Sequence, residues 1–142
     1  MKIKEITTYN RETKTIIDDL LKVLVNKNLS ISIPVLQELI ALDNTHLFFV
    51  SDDSDNCMGM LTLGIYISPT GKKAWIEDVV VSEVYQGHGV GKKLMTFAIQ
   101  FAKQKQVGQL SLTSNPSRFA ANKLYAKLGF ERKETNVYEM NI

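Results

Sequence analysis

The residues best equipped for chemistry are Gln86-Gly87-His88-Gly89-Val90-Gly91-Lys92-Lys93, and the chemistry they suit is anion binding. They join an apolar run, Trp75 to Val81, to an amphipathic segment from Leu94 to Gln104. A glycine-rich turn between a strand and a helix gathers unpaired backbone N–H groups and the positive end of the helix dipole at one point, which suits phosphate. The first helical turn adds to this. Asp or Glu is favoured there, yet this one carries Lys92 and Lys93, which oppose the dipole unless an anion sits nearby.

Three phosphate motifs compete for the turn. A dinucleotide fingerprint needs Gly-x-Gly-x-x-Gly; counted from Gly87 the third glycine falls on Lys92, and from Gly89 on Leu94. A P-loop needs Gly-Lys-Ser/Thr, but Gly91-Lys92 is followed by Lys93, and its first glycine position is Gln86. What fits is Gln-x-x-Gly-x-Gly, met by Gln86, Gly89 and Gly91.

With Ile76-Glu77-Asp78-Val79-Val80-Val81 before it and Asn122-x-x-Tyr125-x-x-Leu128-Gly129-Phe130 after it, the turn resembles the acyl-coenzyme A site of the GCN5-related N-acetyltransferase (GNAT) superfamily. The resemblance covers nearly the whole chain, with its specific motifs between Trp75 and Phe130. It implies that the amides of Gly87, His88, Gly89, Val90, Gly91 and Lys92 cradle the pyrophosphate of acetyl-CoA, the acyl donor. It also implies that the strand end Val79-Val80-Val81 pairs with the pantetheine arm, and that Asn115 and Asn122 contact that arm. His88 itself occupies an unspecified position of the motif and reads as a surface residue. Tyr125 matches the family's proton donor to the leaving thiolate, a reasonable match for a phenol of pKa near ~10.

An attacking amine must lose a proton, and Glu77 and Asp78 are the carboxylates placed to take it. In period-2 alternation they face opposite sides of a strand, so only one looks into a cleft; the resemblance points to Glu77. The implied activity is acetyl transfer to a primary amine by direct attack, because no nucleophile for a covalent route stands out. A non-catalytic acyl-CoA sensor is the alternative. The acceptor would be set by Asn26 to Pro34, by the strand around Tyr66 and by Tyr138.

The elements that must hold these residues follow from periodicity. Apolar spacing predicts a helix over Arg11 to Val25, and Pro34 opens a second. Strands are expected around Ile3, at Leu47 to Val50, at Met58 to Ile67 and at Trp75 to Val81. The polar run Ser51 to Asn56 reads as a hairpin turn, since it lacks the glycine and distal glutamate of a calcium loop. Beyond the amphipathic helix come a strand at Leu110 to Thr113, a helix at Arg118 to Lys127, and closing strands at Phe130 and Val137 to Met140. The order β-α-α-β-β-β-α-β-α-β-β predicts an α/β (α+β) fold with helices on a mixed sheet. The resemblance implies the GNAT version of it: a central, mostly antiparallel, twisted sheet with helices on both faces.

Composition narrows the class. A chain of 142 residues, 44% apolar and 23% charged, fits one ordered domain, 1–142. A net charge of +2 is too small to argue for a nucleic-acid or membrane surface, and no apolar run approaches the ~20 residues that span a bilayer. Cys57 is the only cysteine, so no internal disulfide forms; two histidines, His46 and His88, give no metal cluster. With no signal-peptide stretch at Met1 to Glu5, the expected setting is the cytoplasm. The expected partners are acetyl-CoA and a small amine, and a homodimer is compatible with the chain.

Overall fold

The computed structural model describes all 142 residues. Strand β1 (Lys2–Glu5) is followed by helices α1 (Arg11–Val25) and α2 (Ile33–Ala41), then strands β2 (Thr45–Ser51), β3 (Cys57–Ser68) and β4 (Gly71–Val81). Helix α3 (Val90–Gln104), strand β5 (Gln109–Ser111) and helix α4 (Phe119–Lys127) complete the regular structure. The sheet runs β1-β2-β3-β4-β5, antiparallel except for the parallel pair β4–β5. That pair is parallel because α3 carries the chain back across the sheet between them, the crossover a parallel neighbour requires. No helix is long and apolar enough to cross a membrane.

Local signals set the helix starts. Asn10 caps α1 by accepting from the Thr13 N–H at 2.7 Å, and Ser32 caps α2 by accepting from Val35 N–H, with Pro34 in the first turn. Both sheet faces are covered, which is why Leu47-Phe48-Phe49-Val50 is continuously apolar and not alternating. Phe48 and Val50 pack with Leu94, Met95 and Ala98 of α3; Leu47 and Phe49 pack with Ile17 and Leu20 of α1 and Leu36 of α2. The polar run 51–56 closes the β2–β3 hairpin, the Asp52 carboxylate accepting from Ser54 N–H and Asn56 N–H at 2.9 Å each.

One irregularity in β4 shapes the site. Glu77 pairs with Thr62 and Val80 with Met60, so two residues, Asp78 and Val79, oppose the single Leu61. This is a β-bulge, and Asp78 absorbs it in the left-handed region at φ 51°. The bulge reverses the side-chain alternation: Ala74 and Ile76 join the α3 core, but beyond it Val79 and Val81 do so, and Val80 turns to the α1–α2 core. Past the bulge, where Gly59 pairs with Val81, the backbones are so close that a Cβ on Gly59 would stand 2.5 Å from the Val80 carbonyl oxygen.

The expected closing strands do not form. Phe130 is spent on ending α4: its N–H donates to Tyr125 O at 3.0 Å, Gly129 N–H donates to Ala126 O at 3.1 Å, and Gly129 has φ 98°. That is a Schellman cap, whose usual apolar contact is the edge-to-face pair of Phe130 and Tyr125 at 6.2 Å. Residues 131–142 are exposed and without strand pairing, Tyr138 at 88% exposure. Apolar alternation in a polar tail is a local signal only, and a strand exists only where an edge receives it.

Candidate active site

The glycine turn leaves its backbone donors free. None of the six backbone N–H groups from Gly87 to Lys92 finds a protein acceptor; the first intrahelical bond of α3 is donated by Lys93 to Gly89 O at 3.0 Å. Gly87 and Gly89 have φ of 79° and 80°, and an added Cβ at either would meet nothing within 4 Å, so the cradle is open as well as left-handed. Lys92 and Lys93 are exposed, make no ion pair, and share the first turn with no acidic residue. Donors, dipole and cations therefore converge at the start of α3, an arrangement that favours anions.

Gln86 and His88 hold the turn. Gln86 Nε2 donates to the Val81 carbonyl at 3.1 Å, tying the turn to the end of β4. His88 Nδ1 bonds the Gln86 carbonyl at 2.9 Å, which requires the proton on Nδ1. Gly91 faces α4, where a Cβ would make ordinary van der Waals contact with Leu124 at 3.6 Å.

Beyond the turn, β4 and β5 part. Their pairing ends at Trp75 and Ser111, so β4 from Ile76 onward has no neighbour on that side. A cleft of about 250 Å³ opens there, lined by Leu24 and Val25 of α1, Ile76 to Val79 of β4, Leu112 and Thr113 after β5, and Arg118 and Tyr125. Glu77 and Tyr125 thus both line this cleft. Asp78 lines it too. The alternation that placed the two carboxylates on opposite sides is interrupted by the bulge at Asp78, and both residues line the cleft.

Electrostatics follow from this crowding. Burial against the cleft wall raises the Glu77 pKa above the usual carboxylate value, and the neighbouring Asp78 charge raises it further. Burial raises Asp78 also, although both residues keep one side exposed at the cleft mouth. Tyr125 is 7% exposed; burial raises its phenol while the Arg118 charge partly opposes the shift. The Tyr125 ring packs edge-to-face on Phe130, and its hydroxyl has no protein hydrogen-bond partner.

A family model described as the Acetyltransferase (GNAT) family matches residues 14–130. The chain belongs to the GNAT acetyltransferase family. The mycothiol acetyltransferase of Renibacterium salmoninarum is 34% identical over 83 residues, which cover 57% of this chain and 25% of that protein; the chain thus matches about a quarter of that relative's length. Among solved structures, a putative acetyltransferase from Agrobacterium tumefaciens superposes with a TM-score of 0.86 at 19% identity, covering 99% of this chain and all of that one. An aminoglycoside acetyltransferase from an uncultured soil metagenomic sample, solved with sisomicin, gives 0.83 at 22% identity, covering 99% of this chain and 95% of that one. Identities this low establish a shared fold.

In this GNAT acetyltransferase the two asparagines build the loop between β5 and α4. Asn115 Oδ1 accepts from Ser117 N–H and Oγ–H, and Asn122 Nδ2 donates to Asn115 O and Arg118 O, leaving Asn122 Oδ1 and Asn115 Nδ2 without protein partners. Neither Tyr66 nor Tyr138 lines the cleft. Tyr66 accepts from Trp75 Nε1 at 3.4 Å and lines a separate cavity of about 420 Å³ with His46, Lys72 and Lys105; Tyr138 lies in the exposed tail. The sequence reading missed Leu24, Val25, Leu112 and Thr113 as lining residues and left Arg118 without a role. Only its charge could have flagged Arg118.

A stability test follows for Asp78. A carboxyl whose folded pKa is raised binds more protons folded than unfolded, so stability falls as pH rises from the ordinary carboxylate value through the raised one. Asp78→Asn removes the charge, and asparagine tolerates the positive φ. The variant should melt higher than the parent at neutral pH, with the gain shrinking towards about pH 4 as the parent's carboxyl protonates. Thermal denaturation at the two pH values measures it; an equal gain at both removes the charge explanation.

Proposed function

We propose that residues 1–142 form one catalytic domain that moves an acetyl group from acetyl-CoA to a primary amine by direct attack. The observation that supports the donor is the run of six unpaired amides, Gly87 to Lys92, at the start of α3. The diphosphate would lie on these, with Lys92 and Lys93 nearby. The pantetheine arm would run along the free edge of β4 at Val79 to Val81, within reach of Asn115 and Asn122. That edge delivers the thioester to the cleft holding Glu77 and Tyr125.

The amine attacks the thioester carbonyl carbon. Glu77, ionised, takes the proton the nitrogen must lose, and its raised pKa makes it a stronger base than an ordinary carboxylate. Backbone N–H groups of the β4 edge stabilise the tetrahedral oxyanion. As the C–S bond breaks, the Tyr125 hydroxyl gives its proton to the sulfur, and the amide and free coenzyme A leave. Both proton-moving groups standing in the cleft favours catalysis over a sensor.

Thermal shift tests the donor. Coenzyme A at about 100-fold above its dissociation constant should stabilise the fold by roughly 2.7 kcal/mol. Incubation with acetyl-CoA and a panel of amines, following the released thiol, tests the transfer. A shift given by another nucleotide and not by coenzyme A would overturn the assignment.

A further inference from the structure

We propose that Arg118 selects acceptors that carry an oxyanion, a carboxylate or phosphate, in the same molecule as the amine; this rests on the acetyl transfer proposed above. Arg118 is the one cation among the residues lining the cleft, and two carboxylates, Glu77 and Asp78, line it as well.

The backbone of Arg118 is held from both sides. Its N–H donates to Asn115 O at 3.0 Å, and its carbonyl accepts from Asn122 N–H at 3.0 Å and from Asn122 Nδ2 at 2.8 Å. Asn115 is itself fixed by accepting from Ser117. The guanidinium, by contrast, makes no hydrogen bond and no ion pair within 4.0 Å. A guanidinium within reach of a carboxylate ordinarily forms a paired fork of hydrogen bonds. Here the charges of opposite sign share one cleft and stay apart.

The position is also unusual for arginine. Arg118 stands at the N-cap of α4, where a short side chain that accepts from the first amides is preferred, and its side chain does no capping. Ala120 and Ala121 consequently keep backbone N–H groups without protein acceptors. Arg118 thus lines the cleft from the positive end of α4. Glu77 and Asp78 supply a second wall of opposite sign. A small molecule with an ammonium at one end and an oxyanion at the other complements both, and a cleft of about 250 Å³ suits a small acceptor. The turn at Gly87 to Lys92 already offers six amides to the donor's diphosphate, with Lys92 and Lys93 beside them, so the donor does not need this arginine. A polycationic acceptor would meet Arg118 with repulsion.

Matched acceptors test this. Glycine, β-alanine and 4-aminobutyrate are compared with their amides, and 2-aminoethyl phosphate with ethanolamine, by thiol release from acetyl-CoA. In the best pair the anionic member should be favoured in kcat/KM by about 10- to 100-fold. Arg118→Gln should bring that ratio close to one, with the change falling on KM, and Arg118→Lys should restore part of it. Coenzyme A should raise the melting temperature of Arg118→Gln as much as that of the parent. Preference for the neutral members, a ratio untouched by Arg118→Gln, or a lost coenzyme A shift in that variant would each overturn the proposal while leaving acetyl transfer standing. Acetylation of no amine in either series would overturn both.

Discussion

Replacing Glu77 by glutamine should lower turnover by about 10²- to 10⁴-fold at neutral pH, the range for loss of a positioned proton acceptor. The amide keeps the shape of the side chain and cannot take the amine's proton. Coenzyme A binding should survive, because the turn proposed to hold the donor offers backbone amides from Gly87 to Lys92. The pH profile separates a base from a structural residue. The base works ionised, so the parent's rate should fall as pH drops through a value above the ordinary carboxylate range, since burial and the Asp78 charge both raise Glu77. Asp78→Asn removes the second cause and should move that acid limb down, with burial still holding it above an unperturbed glutamate. An acid limb that stays put in Asp78→Asn and disappears in Glu77→Gln would mean the carboxylates do not interact. Full activity in Glu77→Gln would remove its proposed role, and a deficit appearing only in Asp78→Asn would transfer it.

Tyr125→Phe is expected to cost turnover about 10²-fold or more while leaving the fold and donor affinity intact. The ring keeps its edge-to-face contact with Phe130, and the hydroxyl it loses has no protein partner. Melting temperature and coenzyme A affinity should therefore match the parent, and kcat alone should fall. In the parent, the phenol must be protonated to serve, and burial raises its pKa, so it stays competent throughout the neutral range. Activity should decline on the alkaline side only as pH rises through that raised value. Acceptors are chosen so that the amine itself does not titrate there. Unchanged kcat in Tyr125→Phe would leave Tyr125 as packing for the Schellman cap alone.

Much of the site was legible because its parts are local. A glycine turn followed by lysines announces unpaired amides at a helix start whatever the rest of the chain does, and the structure leaves those six amides unpaired. The helices at Arg11 to Val25 and at Phe119 to Lys127, and the strands between them, follow from apolar spacing and from caps such as Asn10 and Gly129. The two errors also have local causes. Phe130 and Val137 to Met140 carry strand-like residues, but Phe130 was taken by the end of α4 and the tail met no edge. Glu77 and Asp78 were assigned to opposite faces by an alternation that one inserted residue cancels.

The sequence by itself determined the glycine turn, its unpaired amides and the family, because backbone geometry at glycines and helix starts is written in adjacent residues. Only the tertiary structure decided the acceptor end. The cleft joins the end of α1, the bulge in β4, the loop after β5 and the start of α4. Those segments are distant in sequence, and their meeting depends on where β4 and β5 separate and on which way a bulge turns two carboxylates. No spacing of residues encodes that, because it is a property of how the sheet twists and packs.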